Sequence, residues 1–170
     1  MKKIAFVLAL IMMLSLLTGC GSSESTATAP EGTTEELINK IYENVTVELS
    51  LVTIPVDLAD EFSVSYYTGL DGADALKEAS ASESMLGSQA YSVVLARLND
   101  AQQAETIAQS MFDNIDTRKW ICVEATEKQV AVCGDLVCLV MLNPEYGVSC
   151  DQIVAAFTTV CGGSVDTVIK

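Results

Sequence analysis

The chain has 170 residues, with 23 acidic side chains against 9 basic ones, no histidine and a formal net charge of −14 at neutral pH. A surface this acidic repels phosphate backbones and anionic headgroups, which argues against a nucleic-acid binder and against a domain held on a membrane by charge. Without histidine the usual general base, the triad partner and the commonest transition-metal ligand are missing, while an apolar fraction of 50% supports a folded core.

At the start, Lys2 and Lys3 precede an apolar run from Ile4 to Leu17. That run is shorter than the roughly 20 residues a spanning helix needs, and it has the layout of an export signal. It ends in "LLTGC", Leu16 to Cys20. This junction resembles the lipobox of bacterial lipoproteins, where an apolar residue and two small residues precede a cysteine that receives diacylglycerol before cleavage. The resemblance implies a lipoprotein signal peptide over residues 1–19 and lipidation of Cys20. It also implies residence on the outer face of the bacterial cytoplasmic membrane, with the membrane as partner through the lipid anchor. Gly21 to Thr34, "GSSESTATAPEGTT", has no large apolar side chain, so the expectation for residues 20–34 is a lipidated cysteine followed by a flexible tether.

Residues 35–170 then form one domain. "EELINKIYEN", Glu35 to Asn44, spaces Leu37, Ile38 and Ile41 as one helix face, with Thr33 or Thr34 as N-cap. Val45 to Ile54 alternates apolar and polar residues and predicts an extended segment closed by Pro55. Asp57 is placed to cap one short helical turn before "YYTGLDG", Tyr66 to Gly72, where the glycines mark turns. Ala75 to Leu86 has little pattern, whereas "YSVVLARL", Tyr91 to Leu98, reads as a strand and Gly87-Ser88 as a hairpin turn before it. From Asn99 or Asp100 to about Ile115, Ala104, Ile107, Ala108, Met111, Phe112 and Ile115 recur at three and four, the signature of an amphipathic helix. Trp120 to Ala125 is expected to be extended. "VAVCGDLVCLVML", Val130 to Leu142, predicts a hairpin turning at Gly134-Asp135, with Val130, Val132, Val137, Leu139 and Met141 on one face. The other face carries Ala131, Cys133, Leu136, Cys138, Val140 and Leu142, so cover is needed on both sides. Ser149 to Cys161 predicts a last amphipathic helix ended by Gly162 and Gly163. Strand-strand-helix thus occurs twice after a short first helix. The fold class is α+β, an antiparallel sheet with helices packed on it.

Besides Cys20, the chain carries Cys122, Cys133, Cys138, Cys150 and Cys161, an odd number with no Cys-x-x-Cys spacing. In the two-residue turn Cys133 faces Leu136 and Ala131 faces Cys138, leaving the two sulfurs on a diagonal about 7 Å apart. A four-residue loop would set Cys133 opposite Cys138 and permit a disulfide. Buried thiols, disulfides from hairpin to helix, and redox or metal chemistry at Cys133 or Cys138 all stay open on the sequence. Asp57, Asp60 and Glu61, and again Asp113 and Asp116, are close carboxylates without the calcium-loop pattern. Tyr66 and Tyr67 are either an exposed recognition patch or an anchor beneath the turn.

The layout of tether, "YYTGLD" turn, "AYSVVLARL" strand and "VAVCGDLVCLVML" hairpin before a final helix resembles a family of short bacterial lipoproteins, domain of unknown function 4358. The resemblance spans about Glu35 to Gly162 and transfers no site residue. Where this chain has Leu136 and Cys138, the family pattern often has an aromatic. The family context implies accessories to envelope-polymer acylation. The expectation is a non-catalytic lipoprotein domain that binds an envelope protein or polymer, without cofactor; the alternative is a thiol-redox or enzyme accessory using Cys133 or Cys138.

Overall fold

The computed structural model describes residues 27–170, so the signal peptide, Cys20 and the first part of the tether lie outside the described residues. The chain order is α1 (Thr34–Glu43), β1 (Leu51–Pro55), α2 (Glu61–Thr68), β2 (Leu76–Ser84), β3 (Tyr91–Leu98), α3 (Ala104–Asn114), β4 (Glu127–Cys133), β5 (Leu136–Leu142), α4 (Cys150–Val160) and β6 (Thr167–Ile169). All strands pair antiparallel in one six-stranded sheet, ordered β1-β2-β3-β5-β4-β6. The α+β class expected from the sequence is the fold.

β5 sits inside the sheet, and all seven of its residues are buried. Its even and odd positions feed two separate cores. Val137, Leu139 and Met141 join Val130 and Val132 beneath α2 and α3, together with Val64, Ala104, Ala108, Met111 and Ile115. Leu136, Cys138, Val140 and Leu142 join Ala131 and Cys133 beneath α1 and α4, with Leu37, Ile38, Ile41, Ile153 and Phe157. The two faces of the hairpin match the alternation in the sequence, and the helices divide between them.

The helix ends follow local chemistry. Thr33 caps α1 in a capping box with Glu36, and Ser149 does the same for α4 with Gln152; each box satisfies amide donors that the first turn leaves without partners. Asp100 caps a 3-10 turn, Ala101–Gln103, that leads into α3.

Five segments depart from the sequence reading. Only Leu51–Pro55 of the expected extended segment is a strand; Val45, Val47 and Leu49 still face the core, but without strand pairing. The helix near Asp57 is longer and starts at Asp60, whose carboxylate accepts from the Phe62 amide 3.1 Å away. It runs through Tyr66 and Tyr67 to Gly69, which has φ 74° and lies so close to Ile115 that a Cβ would meet its nitrogen at 2.6 Å. Leu76–Ser84 is a full strand whose buried positions after Leu76 are Ala79, Ser80, Ala81 and Ser82, small residues with little β propensity. Trp120 to Ala125 is loop, and the C-terminal Thr167–Ile169 pairs with Val130–Val132 as an edge strand.

The second half of the expected tether is docked. Asp166 accepts from the Ala27 amide at 2.6 Å and the Gly134 amide at 2.7 Å, joining the N-terminal segment to the hairpin turn. Arg97 pairs with Asp135 at 2.8 Å and donates to the carbonyls of Pro30 and Gly32. Gly134 lies in the left-handed region at φ 57°, and a Cβ there would meet the Ala27 carbonyl at 2.8 Å. The turn therefore needs glycine twice, for conformation and for room.

Phe157 is fully buried between α4 and the sheet, so Phe157→Ala should destabilise the domain by about 3–5 kcal/mol in urea unfolding. Asp166→Ala should speed proteolytic cleavage between residues 27 and 33 while leaving that global unfolding midpoint close to wild type, since Asp166 holds the segment from the surface of the core.

Candidate functional site

The densest group of polar and aromatic side chains surrounds Lys119, in the loop between α3 and β4. Its ammonium pairs with Glu83 of β2 at 2.6 Å, with side chains 2% and 14% exposed. It donates to the Tyr66 carbonyl at 3.3 Å and lies 4.5, 5.0 and 5.4 Å from the ring centroids of Tyr66, Tyr67 and Trp120. Burial pulls the lysine pKa below its ordinary value, against the charge and hydrogen bond of Glu83, which raise it. A shielded, paired ammonium is a poor nucleophile or proton carrier for an outside substrate. Its role is mechanical, tying α2, β2 and the loop at one point.

Tyr66 and Tyr67 combine the two roles that the sequence left open. They stack edge to face at 4.8 Å, Tyr67 packs against the core, and Tyr66 reaches outward to Phe62 at 5.9 Å. Around this cluster lie five exposed large apolar side chains. Phe62 stands on α2; Val52 is the strand partner of Glu83; Met85 and Leu86 occupy the β2–β3 turn; and Ile121 bonds through its amide to the Gly87 carbonyl at 2.8 Å. Phe62 and Ile121 are 74% and 72% exposed. Next to Ile121 is the exposed Cys122, a non-glycine residue at φ 59°. Patches of this kind mark interaction surfaces more often than isolated exposed apolar residues do. Sequence reading missed this surface. Its one local signal was two large apolar residues, Met85 and Leu86, inside an otherwise polar turn.

The two cysteines of the hairpin fall where the two-residue turn puts them. Cys133 pairs with Leu136 and Ala131 with Cys138, so Cys133 and Cys138 are not cross-strand partners. Both are buried and free, as are Cys150 and Cys161. Burial pushes Cys138 up to about 12, helped by the nearby Cys150, and raises Cys133 by the same cause. Cys150 is also raised to about 12, by burial and then by Glu127 and Asp151, and its thiol points at the Val140 carbonyl 3.8 Å away. Thiols held protonated in an apolar layer lack the thiolate that redox catalysis uses.

The close carboxylates are occupied locally. Asp57 accepts from the Ala59 amide, Asp60 caps α2, Asp113 accepts from Gln109, and Asp116 accepts from the Arg118 amide. Glu61 sits in the first turn of α2. Among the described residues, no three His, Cys, Asp or Glu side chains converge on a point suited to a metal ion. A shallow groove beside α4 is lined by Asn44, Thr46, Glu48, Gln152 and Thr159, with Glu48 as its one charged side chain.

No family model, curated protein or solved structure matches the chain.

Replacing one partner of the Lys119–Glu83 pair strands the other in a site largely closed to water. Lys119→Met should therefore cost about 3–5 kcal/mol, and Lys119→Met combined with Glu83→Leu should recover most of that loss. Urea unfolding of both single variants and the double variant measures the coupling directly.

Proposed function

We propose that the chain is a lipid-anchored lipoprotein on the outer face of the bacterial cytoplasmic membrane, and that its domain is a non-catalytic binding module for an envelope protein. The observation that carries the binding role is the apolar rim around Lys119: Val52, Phe62, Met85, Leu86 and Ile121. Side chains of this kind, without a convergent set of polar donors, suit a protein surface better than a hydroxyl-rich polymer.

The placement of that rim supports the anchored reading. The β2–β3 turn lies beside the end of β5 at Leu142, where Tyr91 pairs with Leu142 and the Asn143 amide bonds the Ala90 carbonyl. The N-terminal segment docks at the other end of β5, against Gly134. A strand of this length spans about 20 Å. Cys20 precedes Ala27 by a chain that reaches about 25 Å at most. A lipid on Cys20 would hold the Gly134 end toward the membrane and turn the rim outward. An enzyme that acylates an envelope polymer, the context implied by the family resemblance, is one partner of the proposed class. Membership of domain of unknown function 4358 remains part of the proposal and rests on the residues quoted for it.

A photo-crosslinking amino acid at Leu86 or Ile121 in intact cells should capture a discrete envelope protein, while the same probe at Glu145, on a polar surface, should not. Adducts equal at all three positions, or absent from all three across several growth conditions, would remove the binding role. Cys20→Ala should abolish lipid labelling and release the protein from membranes or leave its signal uncleaved; normal processing and retention would contradict the anchor.

A further inference from the structure

β1 is the last strand on its side of the sheet, and half of its backbone faces away from β2. The Met85 amide donates to the Ser50 carbonyl at 2.8 Å, and the Val56 amide to the Ala79 carbonyl at 2.9 Å. With the register running from Leu51↔Ser84 to Pro55↔Ser80, these bonds turn the even-numbered residues of β1 toward β2 and Leu51, Thr53 and Pro55 outward. The amides of Leu51 and Thr53 therefore point past the sheet, and among the described residues no hydrogen bond reaches either one. Pro55 closes one end of this edge, but the lysine that commonly guards such a strand is missing from it.

Two observations describe what the edge would accept. Ile54 joins the core beneath α2 and α3, so Val52, two residues earlier, stands on the same face of β1, and it is 42% exposed. Val52 is the cross-strand partner of Glu83, whose partner Lys119 lies 4.5 Å from the ring of Tyr66, next to the exposed Phe62. An added strand would meet apolar side chains on this face. The other observation is charge. No Lys or Arg occurs from Ile41 to Leu76, while Glu48 precedes β1 and Asp57, Asp60 and Glu61 follow it, so carboxylates stand at both ends of the strand.

We infer that the partner enters this surface as an extended segment that adds to β1, with apolar residues at alternate positions and Lys or Arg at both of its ends. The inference rests on the binding role proposed above and names what the partner presents. Main-chain bonds to Leu51 and Thr53 hold the segment, alternate side chains fit against Val52 and Phe62, and the basic ends select it. A second copy of the chain would bring the same carboxylates together. The chain's own tether, Gly21 to Thr34, has no basic residue to offer.

The test uses the full chain purified in detergent and, as probe, the blocked peptide Lys-Lys-Val-Thr-Val-Lys-Lys. With peptide at about ten times its dissociation constant, the Leu51 and Thr53 amides should exchange with solvent about tenfold more slowly. Binding should weaken about tenfold between low salt and about 1 M salt, where the screening length falls to about 3 Å. The same peptide with glutamate in place of lysine should not bind the wild type. It should bind the double variant Glu48→Lys, Glu61→Lys, whose two positions are exposed. Thr53→Pro removes an outward donor and no bond to β2, so it should abolish lysine-peptide binding with a urea midpoint close to wild type, whereas Thr53→Ala should bind normally. Should Thr53→Pro unfold, the charge-reversed variant decides. Binding without slowed exchange at Leu51 and Thr53, equal binding of both peptides to the wild type, or a dimer that protects these amides without peptide would overturn the inference. In cells, capture from Ile121 that persists at the wild-type level in folded Thr53→Pro would also overturn the added strand and leave the binding role standing; absence of capture from the wild type would remove the role itself.

Discussion

Burial of β5 on both faces governs the architecture. A strand whose seven residues are all apolar or cysteine and all buried cannot sit at an edge or beneath a single helical layer. It needs a strand on each side and cover above and below, and the chain supplies β3 and β4 as neighbours, α1 and α4 on one face, and α2 and α3 on the other. The edges of the sheet are then left to short strands. β1 ends in Pro55, which lacks an amide donor, and β6 is three residues long, both features that limit pairing with another chain.

The turn at Gly134-Asp135 fixes the register of that central hairpin, and much else is assembled on the turn. A shift of one residue would send Cys133, Cys138 and Ala131 to the α3 face, and Val130, Val132 and Val137 to the α4 face. Asp135 engages Arg97, the amide of Gly134 engages Asp166, and Ala27 and Ala29 fill the space that a side chain at Gly134 would take. The point that sets the strand register is also where the N-terminal segment enters. A backbone position chosen for a tight turn thus determines which end of the domain faces the chain leading back to Cys20.

The elements legible in the sequence were those whose burial comes from one periodic apolar face. Leu37, Ile38 and Ile41, the α3 repeat, the hairpin and the α4 face all belong to this class, and the hairpin register followed from turn chemistry alone. What escaped was set by tertiary contact. Beyond Leu76, β2 buries only alanine and serine: Ser80 faces α1, with Thr34 and Ser80 hydroxyls 2.8 Å apart, while Ala79 and Ala81 join the core on the other face, so no run of large apolar residues announces the strand. β6 is too short to carry a pattern and owes its form to the free edge of β4. The cluster around Lys119 draws on α2, β2 and a loop from distant parts of the chain, and proximity of this kind leaves no spacing to read. The N-terminal segment, small and polar as a tether should be, is held by Arg97 and Asp166 through its backbone, to which composition is blind.

The Lys119 cluster also bears on how the proposed surface would work. Cys122 holds φ 59°, a conformation unfavourable for a side chain other than glycine by about 1–2 kcal/mol. Such a residue persists where its surroundings leave it little choice. Here Trp120 is buried on one side, the Ile121 amide is bonded to Gly87, and Lys119 is pinned to Glu83 beneath three rings. Those restraints act on the three residues immediately before the strained one. A buried ion pair contributes little net stability compared with an apolar pair of similar volume, so its value lies in the geometry it imposes. In a binding surface, geometry imposed in advance reduces the entropy lost when a partner docks. Ile121 is then an apolar side chain presented from a loop that the core already holds in place, and in the proposed binding role Lys119 would serve recognition without touching the partner.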